Sequence, residues 1–128
     1  GLVTGCDIFL GPAATPTYLG TVKWSPAGGP DRVQVSTILS DGRYDVAEQF
    51  NHPQVFDLVW THQFRDDLTY SLDALYGFQT NVPTAGFANW FGIVNYLTRV
   101  WTPRLSSTSR LEFFNDTEGA RTGSEGLY

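Results

Sequence analysis

The sequence is short of charge. Only 16% of its 128 residues are Asp, Glu, Lys or Arg, against roughly 25% in soluble domains of ordinary composition. Eight basic residues face thirteen acids, which argues against nucleic acid, a partner that rewards basic stripes. A single cysteine excludes a disulfide framework and any cysteine-based zinc site. No apolar run approaches the ~20 residues that a membrane helix needs. No stretch holds the i, i+3, i+4, i+7 stripe of an amphipathic helix either. All-β or mixed folds remain, and any membrane role has to come through strands.

Rings are what the chain has in quantity. Four Trp, six Tyr and nine Phe are too much apolar area for a solvated, disordered chain. The length allows one domain with a modest core. Gly1 is not a start methionine, and no basic stretch followed by an apolar one marks a secretion signal. Val3-Thr4-Gly5-Cys6 resembles a lipoprotein cleavage box without the stretch that would precede it, so Cys6 reads as a loop cysteine. Gly126-Leu127-Tyr128 stops where a strand would begin. The expectation is one segment, residues 1–128, internal to a longer chain.

Gly and Pro fall in clusters, and the segments between them alternate with period two. Six strands are predicted: Thr17–Trp24, Arg32–Ser40, Gln54–Arg65, Leu68–Thr80, Ala88–Thr102 and Leu105–Asn115. Each has one face fit for lipid. Leu68, Tyr70, Leu72, Ala74, Tyr76 and Phe78 oppose Thr69, Ser71, Asp73 and Gln79. Phe56, Leu58, Trp60 and Phe64 oppose Asp57, Thr61, Gln63 and Arg65, and Tyr18, Val22 and Trp24 oppose Thr21 and Lys23. The fifth segment is less clean. Trp90, Val94, Tyr96 and Val100 are assigned to its apolar face, and Asn95 and Arg99 to the polar one, although Phe91, Ile93, Leu97 and Trp101 share the latter.

A soluble sheet with one wet face alternates in the same way. Connection length discriminates. Ser25–Asp31, Asp66-Asp67 and Pro103-Arg104 read as tight turns, whereas Asp41–Pro53, Asn81–Phe87 and Asp116–Gly126 read as long loops. Alternation of short and long is the rule in transmembrane barrels. The segments also approach the 9–11 residues, roughly, that a tilted strand needs to cross the hydrocarbon layer. The predicted fold is therefore all-β: an antiparallel up-and-down meander of about six strands, part of a transmembrane β-barrel.

On that fold the polar faces line a lumen, with Lys23, Arg32, Asp57, Arg65, Asp73, Asn95, Arg99, Arg110 and Glu112 as the wall. Arg110 and Glu112 are expected to face Arg99 across the last hairpin. Trp24, Trp60, Phe64, Tyr70, Tyr76, Phe78, Trp90 and Tyr96 are the lipid-facing aromatics, suited to the headgroup level. The alternative is a soluble extracellular β-sandwich that stacks glycans on rings such as Trp60, Tyr70 and Tyr76. Catalysis finds no support: Asp57 and Asp73 share a face, but no nucleophile elbow, phosphate loop or metal-ligand spacing joins them. His62 reads as interfacial and His52 as a loop residue. Asn115–Gly123 is acidic and Gly-rich but lacks the ligand spacing of a calcium loop, so it reads as a solvated outer loop. No metal and no cofactor are expected.

Three stretches carry a family resemblance. Ala88-Asn89-Trp90-Phe91-Gly92-Ile93-Val94-Asn95-Tyr96-Leu97 is followed by Ser109-Arg110-Leu111-Glu112-Phe113-Phe114-Asn115-Asp116, and that run continues through Gly119, Arg121 and Gly123. Upstream lie Leu19-Gly20-Thr21-Val22-Lys23-Trp24-Ser25-Pro26, then Leu68-Thr69-Tyr70 with Tyr76-Gly77-Phe78-Gln79. Together they resemble the OmpL-like β-barrel porins, from about Gly5 to Gly123 and in family order. The hairpin half reading Arg-x-Glu-Phe-Phe-x-Asp-x-x-Gly-x-Arg-x-Gly is the specific part. The resemblance implies a C-terminal-half segment of a barrel in the bacterial outer membrane. Its partners would be outer-membrane lipid, small hydrophilic solutes and the remaining barrel strands, from the same chain or an oligomer. Expression separates the two readings: a sandwich module is expected as a soluble monomer, and a barrel segment is expected to aggregate without detergent.

Overall fold

The computed structural model describes residues 2–4, 16–40, 53–82, 85–123 and 126–127. Among the described residues lie eight strands: β1 (Leu2–Thr4), β2 (Pro16–Trp24), β3 (Asp31–Ser40), β4 (Gln54–Arg65), β5 (Leu68–Val82), β6 (Gly86–Thr102), β7 (Leu105–Asp116) and β8 (Gly126–Leu127). Each pairs antiparallel with the next, in the spatial order β1 to β8. The fold is an all-β meander of six long strands with a short one at each end. Among the described residues there is no helix, no second sheet and no pairing of β1 with β8, so the sheet is open. A sandwich would need an opposing sheet, and none is present there. Cys6, His52 and the 41–52 part of the third-to-fourth strand connection lie outside the described residues.

One predicted long connection is in fact short. Asn81–Phe87 is mostly strand: β5 runs to Val82, β6 starts at Gly86, and Val82 pairs with Gly86. Gly86 has φ +70°, a backbone turn that L side chains resist, and a bulge between Thr80 and Val82 strengthens the local twist. The remaining turns fall where the sequence places them, at residues 25–30, 66–67 and 103–104.

The turns are staggered along the strands. Asp31 beside the β2–β3 turn pairs with His62, and His62 with Tyr70. The β4–β5 hairpin continues outward to Arg65↔Leu68. Leu68 pairs with Arg99, and the β6–β7 hairpin continues again to Thr102↔Leu105. Successive turns therefore lie further along the strand direction. Tilted strands whose turns share one level produce this stagger, and barrels require the tilt.

Burial is concentrated at the end opposite those turns, where Ala88 and Trp90 are 0% and 3% exposed. Trp90 lies opposite Gly77, and a Cβ on Gly77 would overlap the indole ring. Gly77→Val is therefore expected to destabilise the protein by about 1–3 kcal/mol through overpacking. Denaturant unfolding of the full-length protein in detergent micelles measures this, with an unchanged midpoint as the contrary result.

Candidate functional site

The pairing registers sort the paired strand residues onto two faces. One carries Tyr18, Val22 and Trp24 on β2, and Val33 and Val35 on β3. It continues with Phe56, Leu58 and Trp60 on β4, Tyr70, Leu72, Ala74, Tyr76 and Phe78 on β5, then Phe91, Ile93 and Leu97 on β6 and Leu111 and Phe113 on β7. This apolar face is open. Val22 and Leu111 are each 71% exposed, and among the described exposed large apolar side chains all but Leu19 and Val100 lie here. Soluble monomers rarely expose an apolar area of this extent.

The apolar face is banded. Toward the turns it carries Trp24, Trp60, Phe64, Tyr70 and Trp101, and toward the other end Tyr18, Tyr76, Phe78, Phe87, Phe91 and Phe113. Val22, Val35, Leu58, Leu72, Ala74, Ile93 and Leu111 lie between them. Rings pack along each border: Trp60 to Tyr70 at 5.8 Å and His62 to Phe64 at 4.6 Å near the turns, Phe78 to Phe87 at 6.1 Å and Phe91 to Phe113 at 5.7 Å at the far end. Two ring borders around an aliphatic band are the lipid-contact pattern of membrane barrels.

Polar atoms near the turn-end border are paired. Asp31 Oδ1 accepts the Trp60 indole N–H at 2.9 Å and lies 2.8 Å from His62 Nδ1. Asp67 lies 3.2 Å from Arg65 and 3.7 Å from Arg99.

The opposite face is polar over its turn half. Its cross-strand pairs include Thr21 with Ser36 (3.3 Å), Thr61 with Ser71 (3.1 Å) and Thr98 with Thr108 (3.0 Å). Such pairs fix neighbouring strands while leaving hydroxyls available to water. Basic Lys23 and Arg32 sit on β2 and β3, acidic Asp57 and Asp73 on β4 and β5, and Arg110 is ion-paired with Glu112 on β7. Arg110 also stands 5.8 Å from the Tyr96 ring.

On β2 to β5 and β7 the shared faces follow the period-two alternation. Lys23, Arg32, Asp57, Asp73, Arg110 and Glu112 share the polar face, and Trp24, Trp60, Phe64, Tyr70, Tyr76 and Phe78 the apolar one. Arg65, expected on the polar face, lies past a bulge at the β4–β5 turn and pairs with Leu68, which puts it on the apolar face, and its side chain lies beside Asp67. The β6 assignments are reversed. Asn95 pairs with Leu72 and Leu111, and Arg99 with Leu68 and Ser107, which puts both on the apolar face. Trp90 pairs with Gly77 and Asp116, and Tyr96 with Ser71 and Arg110, which puts both on the polar face. Arg110 and Glu112 accordingly face Tyr96 and Val94, not Arg99.

Two bulges explain the reversal. Continued without interruption, the Val82↔Gly86 register would set Leu72 opposite Tyr96, and the Thr102↔Leu105 register would set Leu111 opposite Tyr96. One extra residue at Thr80/Val82 and one at Val100/Thr102 flip the whole of β6 relative to both neighbours. The misplaced polar groups are accommodated. The Tyr70 hydroxyl donates to Asn95 Oδ1 at 2.6 Å, which offsets part of the cost of an amide on an apolar surface. Arg99 lies over Trp101 at 4.0 Å, near enough to the turns for its head to reach the interface.

One cluster has no counterpart in the sequence-based expectations. Asp116, fully buried, accepts from the backbone N–H groups of Ala120 (3.0 Å), Arg121 (2.9 Å) and Thr122 (2.8 Å) and from the Thr122 hydroxyl (2.9 Å). Residues 117–123, expected as a solvated outer loop, are thus an organised loop tied to the end of β7. Its signal was in the sequence as the spacing of Asp116, Gly119, Arg121 and Gly123.

A family model described as "Putative beta-barrel porin-2, OmpL-like" matches residues 1–127. No curated protein and no solved structure matches the chain. The corrected register makes a test of neighbouring positions in the membrane-embedded full-length protein. A cysteine replacing Tyr96 is expected to react with a water-soluble thiol reagent, and one replacing Asn95 to be protected. The reverse order would restore the face assignment read from the sequence.

Proposed function

Because this chain belongs to the OmpL-like β-barrel porins, we propose that it forms wall of an outer-membrane channel. Small hydrophilic solutes cross that channel by passive diffusion. The segregation of the two faces carries this reading. An open apolar face with ring borders suits lipid, and the hydroxyl, carboxylate and guanidinium groups behind it suit a water-filled lumen. Charges in such a lumen stay hydrated, whereas a closed protein core would bury them at a cost of several kcal/mol each, to order of magnitude.

Lys23, Arg32, Asp57, Asp73, Arg110 and Glu112 would line the lumen in this reading, and Tyr96 joins them. Trp24, Trp60, Phe64, Tyr70, Tyr76 and Phe78 would meet outer-membrane lipid. Further strands, from the same polypeptide or another copy, would pair with the two edges of the sheet and close the wall, because an unpaired backbone edge is not tolerated in hydrocarbon. Selection would follow lumen width and the distribution of charge, with no bond made or broken.

The full-length protein in planar bilayers is expected to give ohmic conductance steps. In liposomes it is expected to admit small sugars and exclude larger ones. Liposomes that stay tight to both with folded protein present would contradict passive diffusion.

A further inference from the structure

We propose that Lys23 and Arg32 form a two-cation subsite on the lumen wall for the phosphate or carboxylate of a small anionic solute. This rests on the porin reading of the polar face and names a class of solute for it. The starting observation is how the charges of that face are partnered. Arg110 on β7 is ion-paired with Glu112. Lys23 on β2 and Arg32 on β3 are in no ion pair among the described residues.

Register brings these two cations together. Lys23 pairs with Gln34, and Arg32 lies two residues from Gln34 along β3. They are therefore diagonal neighbours on one face, about 7–8 Å apart at the backbone. The surface between them is concave. Lys23, Ser25, Arg32, Gln34 and Thr61 share a hollow of about 290 Å³. It offers an ammonium, a guanidinium, an amide and two hydroxyls, and no carboxylate is among its lining residues. Its floor is fixed from the side, because Gln34 donates to Ser36 at 3.1 Å and Thr61 is bonded to Ser71 at 3.1 Å.

The nearby acids are kept off the hollow. Asp31, beside Arg32 in the chain, belongs to the other face, where Trp60 and His62 engage it. Asp57 pairs with Ser36, four residues along β3 from Arg32, about 13 Å at the strand rise. Asp73 pairs with Val59 and stands two strands from Gln34, about 10 Å away at the strand spacing. Cations left without a neutralising partner on a hydrated wall raise the local concentration of anions. The guanidinium presents a fork that matches two oxygens of a phosphate or carboxylate, and the ammonium adds a point charge. The hollow lies beside the β2–β3 turn, and the short turns of membrane barrels face the periplasm. The subsite is thus at that mouth of the channel.

The test uses the full-length protein in planar bilayers, with inorganic phosphate added to potassium chloride at constant ionic strength. Phosphate is expected to lower the conductance in a saturable way. With Lys23→Gln and Arg32→Gln combined, the half-blocking concentration is expected to rise about tenfold or more, through the loss of two charge-assisted contacts. Each single substitution is expected to shift it in the same direction, which carries the test should the double variant form no channels. Arg104→Gln, in the β6–β7 turn, removes a charge away from the hollow and is expected to leave the half-blocking concentration within about twofold. Channels that phosphate does not block, or a block that survives the loss of both cations, would overturn the subsite. An equal weakening by Arg104→Gln would also overturn it, by reducing the effect to general charge. Absence of channels from the unsubstituted protein would overturn the porin reading, and the subsite with it.

Discussion

In hydrocarbon no water reaches the backbone, so each amide and carbonyl of a spanning strand must be paired by a neighbour. The meander from β1 to β8 meets that demand with consecutive antiparallel hairpins. Antiparallel register then decides everything lateral, because it fixes which side chains stand together on each face. The open apolar face, its two ring borders and the charged face behind it all follow from seven strand pairings. The scarcity of charge in the composition has the same origin, since one whole face carries charge only near its turns, at Asp31, Arg65 and Arg99.

Bulges refine this scheme. Those flanking β6 turn over its faces, moving Trp90 and Tyr96 to the polar side and Asn95 and Arg99 to the apolar one. The exchange has structural consequences at both sites. Trp90 becomes the ring over which the Arg121 guanidinium stands, beside a Gly77 that leaves room for the indole. Tyr96 becomes the partner of Arg110, while the Tyr70 hydroxyl takes up Asn95.

Much of the fold was legible because its signals are local. Period-two alternation in Phe56, Leu58 and Trp60, or in Tyr70, Leu72 and Ala74, requires no partner to be read. Turn residues such as Asp66-Asp67 and Pro103-Arg104 mark the hairpins directly. The faces of β6 were not legible, because Phe91, Ile93 and Leu97 compete with Trp90, Val94 and Tyr96, and only cross-strand register separates them. The Asp116 cluster was hidden for a related reason. A carboxylate that gathers the N–H groups of Ala120, Arg121 and Thr122 has the composition of a solvated acidic loop until the chain is folded.

The assignment of one face to lipid and the other to water is tested most directly by the energetics of two adjacent positions on β4. Leu58 stands between Val35 and Ala74, and Val59 between Gln34 and Asp73. Reversible unfolding of the full-length protein from lipid vesicles would be measured for Leu58→Arg and Val59→Arg. The expected costs are about 2–4 kcal/mol for Leu58→Arg and under about 1 kcal/mol for Val59→Arg, as for lipid-facing and lumen-facing sites near the bilayer midplane. Equal costs, or the larger cost at Val59, would contradict the assignment.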